Sequence, residues 1–305
     1  MKSPKSSLIA TVEEQASTQG NVLRLADLRD LGVTPGQRVA QARARRWAAI
    51  PWRGVVVASA DDETRHRLAL VEVGKGAAIG GASALLLAGL TGWDEEFIHV
   101  WVRKSFSKNG AEGVELHESR RWTPDDLVGS GIPRANPTVA AIQSALWAKT
   151  VRQAATLLAM SVQQRLVCAD VLAVEFERVK RHKFRVMLRR VIADIGGGAQ
   201  SINELDFAVL CRAHGLPEPS RQERRQSSQG RIYLDVYWQA YRVRLEVNGA
   251  GHGILVAAMS DEIRTVEAQA EGDAAVQVSV LTIRVEPLPL MEALRRLLRS
   301  RGWVG

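Results

Sequence analysis

Asp235 and Glu246 lie in a pattern suited to holding a metal ion between them. From Arg231 to Trp238 the residues alternate, so Ile232, Leu234 and Val236 share one strand face while Tyr233, Asp235 and Tyr237 share the other. The alternation returns from Arg242 to Asn248, with Val243, Leu245 and Val247 towards a core and Arg244, Glu246 and Asn248 away from it. A turn centred near Ala240 and Tyr241, with an even-length loop, sets Asp235 directly opposite Glu246. Their Cβ atoms would then be roughly 5 Å apart. Two carboxylates in that position repel unless a cation or a proton offsets them. A hard divalent ion does so: Mg²⁺, or Mn²⁺ in its place, accepts one or two carboxylates and keeps waters for a substrate phosphate. That is the geometry of phosphodiester hydrolysis. His252 follows on the Gly249 to Gly253 loop, where backbone freedom lets it approach a phosphate or a water.

The elements around this pair read as one domain over residues 197–305. Ser201 to Glu204 spells a capping box before a helix that carries Leu205, Val209 and Leu210 and stops at Gly215. After the two strands come a helix with Asp261 and Arg264, a strand from Val276 to Val285, and a closing helix from Leu288 to Arg301. The order is α-β-β-α-β-α. Each candidate also has a plainer role. Glu204 serves as the N3 residue of its capping box, Asp235 and Glu246 as surface charges paired with Arg231, Arg242 or Arg244, and His252 as an ordinary loop residue.

Ser201 to Arg212, Gly215-Leu216-Pro217-Glu218-Pro219, Tyr233-Leu234-Asp235-Val236 and Glu246-Val247-Asn248-Gly249 followed by His252 together resemble the C-terminal domain of a widespread actinobacterial group. That domain is similar to the very-short-patch-repair endonucleases of the PD-(D/E)XK superfamily. The resemblance covers about Gly197 to Trp303 and implies a restriction-endonuclease-like fold that cleaves DNA with Mg²⁺. It implies Asp235 as the first metal-binding acid, Glu246 as the acid of the second motif, Glu204 as the acid of the preceding helix and His252 as the histidine beyond. Asn248 departs from the pattern, standing where the superfamily has lysine and relatives of this group have aspartate. An amide can coordinate or hydrogen-bond but cannot act as a general base near neutral pH.

Residues 1–60 read as helix, short helix, helix and strand, the order of a winged helix-turn-helix. Leu8, Ile9 and Val12 give the first helix an apolar face, and Leu25 to Leu31 ends at Gly32. Thr34 and Pro35 open a third helix running to Arg46, and Trp52 to Ser59 forms a strand, with Gly54 as the turn before Val55, Val56 and Val57. The third helix holds Arg38, Arg43, Arg45 and Arg46 and no acid. At 100° per residue Arg38, Gln41 and Arg45 project together, with Val39 inward, so Arg and Gln could meet base edges while the other arginines meet phosphates. Leu28 to Gly32 and Trp52-Arg53-Gly54-Val55 make this region similar to the antitoxin domain of AbiEi-type abortive-infection systems, which are winged-helix DNA binders.

Residues 61–196 read as a mixed, mainly helical connection. Ile98, Val100 and Val102 alternate with His99 and Trp101 as a strand, and Val139 to Leu158 as an Ala-rich helix followed by more helix. Arg178, Lys180, Arg181, Lys183, Arg185, Arg189 and Arg190 run without an intervening acid, a set able to neutralise DNA phosphates or simply to solvate a helix face. Gly76 to Trp93 is the longest uncharged stretch, yet its glycines, serine and threonine dilute Leu85, Leu86 and Leu87, so a buried loop and helix is expected rather than a membrane span.

The whole is an α/β chain, α+β overall, of 305 residues with 41 Lys+Arg against 33 Asp+Glu, a net charge of +8 that suits a polyanionic partner. Its 46% hydrophobic content excludes a mainly disordered chain. Cys168 and Cys211 lack CxxC or His-rich neighbours, and Met1 to Gln19 lacks a signal-peptide core, so a cytoplasmic protein is expected. DNA is the expected partner and a membrane is not; a homo-oligomer is left open. Two functions compete, a Mg²⁺-dependent DNA endonuclease and a DNA-binding transcriptional regulator or antitoxin-like protein with an inactive nuclease fold; a scaffold or partner-binding protein is the third reading, preferred if DNA binding is absent at low salt.

Overall fold

The computed structural model describes residues 4–50, 54–56, 62–104, 112–121, 123–197, 206–226, 232–249, 262–263 and 274–305. The chain is α+β and forms two compact units, Met1–Ala84 with Asp94–Asn136, and Leu85–Trp93 with Pro137–Gly305.

The first unit begins α1 (Pro4–Ser17), β1 (Val22–Arg24), α2 (Leu25–Asp30), α3 (Pro35–Arg43), β2 (Ala48–Ile50) and β3 (Gly54–Val56). The three strands form an antiparallel sheet in the order β1-β3-β2, the topology of a winged helix. Val12 and Ala16, one helical turn apart on α1, meet Leu23, Leu28, Val33 and Trp47 in a buried cluster. Burying a side chain such as Leu28 contributes roughly 1.5–3 kcal/mol. α3 starts as expected: Thr34 Oγ1 accepts from Gln37 N–H at 3.3 Å, and Gln37 Oε1 accepts from Thr34 N–H at 2.8 Å. It ends earlier than expected, at Arg43, because the chain turns left-handed at Arg45 (φ +55°) before Trp47 enters the core. Strands β1 and β2 were not expected. Of the strand expected over Trp52–Ser59, β3 is the described part.

After α4 (Asp62–Val73) the unit builds a second sheet from β4 (Ala78–Ile79), β5 (Ile98–Arg103) and β6 (Val114–Ser119), in the order β4-β5-β6. β5 runs antiparallel to β4 and parallel to β6. Helix α5 (Gly81–Leu87) follows β4, with Ala82, Ala84 and Leu85 buried, as the uncharged composition of this stretch required.

In the second unit, α6 (Pro137–Trp147), α7 (Val151–Gln163), α8 (Ala169–Phe176) and α9 (Arg185–Gly197) pack as a helical group. The Ala-rich helix expected over Val139–Leu158 is two helices, since Thr150 caps α7 by accepting from Gln153 N–H at 3.1 Å. Next come α10 (Phe207–Ala213) and a four-stranded sheet of β7 (Arg221–Gln226), β8 (Ile232–Trp238), β9 (Val243–Asn248) and β10 (Ala274–Ser279), in the order β10-β9-β8-β7. β7, β8 and β9 are antiparallel neighbours, and β10 runs parallel to β9. The strand expected over Val276–Val285 turns into α11 (Val280–Val285) after Ser279, whose Oγ accepts from Thr282 N–H at 3.1 Å. The closing helix α12 (Pro287–Ser300) buries Leu290, Leu294, Leu297 and Leu298. Buried Asp194 of α9 pairs with Arg284 of α11 at 3.1 Å. No helix among the described residues is long and apolar enough to cross a membrane.

Candidate functional site

The strand faces of the second unit place Asp235 and Glu246 as cross-strand partners, in the register read from the alternation. Trp238 pairs with Val243, leaving a four-residue loop whose last member, Arg242, turns left-handed (φ +55°). Anchoring is firm: Trp238 Nε1 donates to the Pro217 carbonyl at 2.8 Å and its ring meets Phe207 edge-on.

Two further residues complete this row across the sheet. Glu223 of β7 pairs with Asp235, and Gln277 of β10 pairs with Glu246, donating from Nε2 to Glu246 Oε2 at 2.8 Å. Three acids in a row would be unfavourable alone. Arginines in the flanking rows offset them. Asp235, only 1% exposed, has Arg225 Nε at 2.9 Å and Arg221 Nη2 at 3.3 Å from Oδ2, and Arg244 Nε at 3.6 Å from Oδ1. Arg225 also reaches Glu223 at 3.1 Å, while Arg221 and Arg244 lie over Tyr237. Asp235 Oδ1 is nonetheless buried with no hydrogen-bond partner among the described residues. An oxygen in that state has a lone pair available for a cation. Glu246 lies opposite it, so the donor set suits a hard ion, provided the exposed Arg244 side chain swings aside.

Asn248 ends β9, opposite Tyr233 and beside Ser279. Glu204 and His252 lie outside the described residues. Asp206 is the observed N-cap of α10, its carboxylate accepting from the Ala208 and Val209 N–H groups.

The basic residues are arranged differently from expectation. Val39, expected inward, is 50% exposed, whereas Gln41, expected outward with Arg38 and Arg45, is buried and accepts from Arg46 Nη1 at 3.4 Å. Because α3 ends at Arg43, Arg45 no longer continues its face. Arg43, Arg45 and Arg46 are exposed and Arg38 is half-buried. In the second cluster, Lys180, Arg181 and Lys183 are exposed between α8 and α9. Arg178 pairs with Glu175 at 3.0 Å, and Arg185 and Arg189 pair with Glu177 at 3.7 and 2.9 Å, so acids of the preceding helix offset part of this run.

A second group escaped the sequence reading. His99 of β5 and Glu115 and His117 of β6 bring their ligand atoms within 4.8 Å of one another and could hold a metal ion. His99 Nδ1 lies 2.8 Å from His117 Nε2, and the Glu115 carboxylate lies 3.7 and 3.9 Å from those nitrogens. Burial first, and the adjacent His99 second, push the His117 imidazole down to about 3. The sequence signal was Glu-x-His on one strand face together with a histidine on a neighbouring strand.

No family model matches the chain, and no curated protein does. A solved structure, of the Rv2827c protein from Mycobacterium tuberculosis, is 14% identical with a TM-score of 0.41 over 63% of this chain and 78% of that one. So distant a likeness carries no functional argument.

Proposed function

We propose that this chain is a DNA-binding protein whose C-terminal sheet is a metal-dependent endonuclease centre built on Asp235 and Glu246. The observation supporting this reading is the buried Oδ1 of Asp235, which accepts no hydrogen bond among the described residues, on the residue that pairs with Glu246 across the β8–β9 ladder. Asp235 and Glu246 would hold Mg²⁺, or Mn²⁺ in its place. A bound ion of this kind lowers the pKa of its water and neutralises charge on a phosphodiester. Gln277 fixes the Glu246 carboxylate, and Glu204 and His252 enter through the family resemblance alone. Arg43, Arg45 and Arg46 near the winged helix, with Lys180, Arg181 and Lys183, would supply phosphate contacts.

The second reading, a DNA-binding regulator or antitoxin-like protein with a silent nuclease fold, is favoured by the three arginines around Asp235 and by Asn248. Guanidinium groups already offset the acids, and an amide supplies no base. The test is cleavage of supercoiled plasmid and a single-stranded oligonucleotide with Mg²⁺, Mn²⁺ or chelator. The endonuclease reading expects ion-dependent cleavage that disappears in Glu246→Ala. DNA binding without cleavage by either the native chain or Asn248→Asp selects the regulator.

A further inference from the structure

The sheet of the first unit carries donors of a different chemical class from those of the acid pair. β5 and β6 are parallel, with His99 in register with Glu115 and Trp101 with His117. Residues in register on parallel strands share a face, and Glu115 and His117, two apart, share theirs. The pairing therefore gathers two imidazoles and a carboxylate although His99 and His117 are 18 positions apart. Ser83 fixes the strand end by accepting from His99 N–H at 2.9 Å.

We propose that His99, Glu115 and His117 form a binding site for a divalent transition metal, Zn²⁺ or an ion of similar preference. Imidazole donors select such ions over Mg²⁺, and a His₂-carboxylate set is a known three-ligand zinc arrangement that leaves a fourth position for water. His99 ligates through Nδ1, His117 through Nε2 and Glu115 through its carboxylate. With metal–nitrogen bonds of about 2.0–2.1 Å and tetrahedral angles, the two nitrogens stand roughly 3.3 Å apart. From 2.8 Å they therefore separate by about half an ångström. The Glu115 side chain, 47% exposed, has room to adjust.

Glu95 is the positioning residue. Its Oε2 lies 3.5 Å from His99 Nε2, the nitrogen that faces away from the ion. His99 presents a lone pair on Nδ1 only when its proton is on Nε2, and a carboxylate beside Nε2 favours that tautomer. Ligation replaces the His99–His117 hydrogen bond: with the His99 proton on Nε2, the proton in that bond sits on His117 Nε2, and it leaves to solvent as His117 takes one up at Nδ1, so both facing nitrogens give lone pairs to the ion.

The test is titration of the full chain, freed of metal by chelator, with Co²⁺ and then Zn²⁺. One Co²⁺ per chain with visible d–d absorption, displaced by Zn²⁺, is expected. His117→Gln should abolish the absorption. Glu115→Gln, altering an exposed side chain that the fold does not need, should weaken Zn²⁺ binding about 100-fold or more, and Glu95→Gln about 10–100-fold. Absence of the absorption in the native chain overturns the proposal. So does absorption that survives both His117→Gln and Glu115→Gln, or that is lost in Glu246→Ala and kept in His117→Gln, which would assign the ion to the acid pair.

Discussion

Arg225 holds its Nε 2.9 Å from Oδ2 of Asp235, so the most buried acid of the C-terminal sheet is neutralised from the neighbouring edge strand. Arg221, four residues earlier on that strand and on the other side of Glu223, does the same at 3.3 Å.

Both arginines are more than a third exposed, so solvent screens each pair and Arg225→Ala alone should cost only about 1 kcal/mol. Removing both leaves the buried charge with only the more distant Arg244, 3.6 Å from Oδ1, among the described residues. The double variant Arg221→Ala with Arg225→Ala should cost about 3 kcal/mol, and adding Asp235→Asn should recover part of it. Urea unfolding of the four chains measures this. Simple additivity, with no recovery, would mean that the arginines do not offset Asp235.

The Asp235–Glu246 register was legible because both strands alternate cleanly and the loop between them is short. Strand β7 was not legible. Arg221-Gln222-Glu223-Arg224-Arg225-Gln226 contains no β-branched or aromatic residue, as befits a charged edge strand held by its neighbour. The His99, Glu115 and His117 group was hidden for another reason: parallel pairing across a connection leaves no local trace of its register. Gln41 lies within α3 and was misplaced because polarity alone sets apolar Val39 inward and Gln41 outward, whereas the helix exposes Val39 and buries Gln41; the helix end at Arg43 displaces only Arg45.

The first unit makes a separable prediction for DNA. Arg43→Ala with Arg45→Ala should reduce the slope of log affinity against log salt by about 1.8, two phosphate contacts at about 0.9 each. Gln41→Ala should lower the melting temperature and leave that slope unchanged, since Gln41 is buried. Fluorescence anisotropy over a salt series reads both. An unchanged slope in the double variant would remove these arginines from the interface.

Glu262 supplies the pH dependence. Burial raises its carboxyl above the usual range, opposed by hydrogen bonds from Thr282 and Ser279. A raised folded value means the fold favours the protonated form. That stabilising contribution is complete below the unfolded value near 4.5 and is lost as pH rises through the folded value. Glu262→Gln, whose amide oxygen can still accept from Thr282 and Ser279, should therefore gain on the native chain as pH rises from about 4.5 to 8. Denaturation curves whose difference is constant over that range would contradict it.

The claim that Asp235 and Glu246 accept a hard cation is tested most directly by the melting temperature of the full chain in Mg²⁺ against chelator. Mg²⁺ is chosen because carboxylates, and not the imidazoles of the first unit, suit it. At 100 times the dissociation constant a bound ion adds about 2.7 kcal/mol of stability. The native chain should show that rise and Asp235→Asn should not. A native melting temperature indifferent to Mg²⁺, or a rise of equal size in Asp235→Asn, would contradict the account.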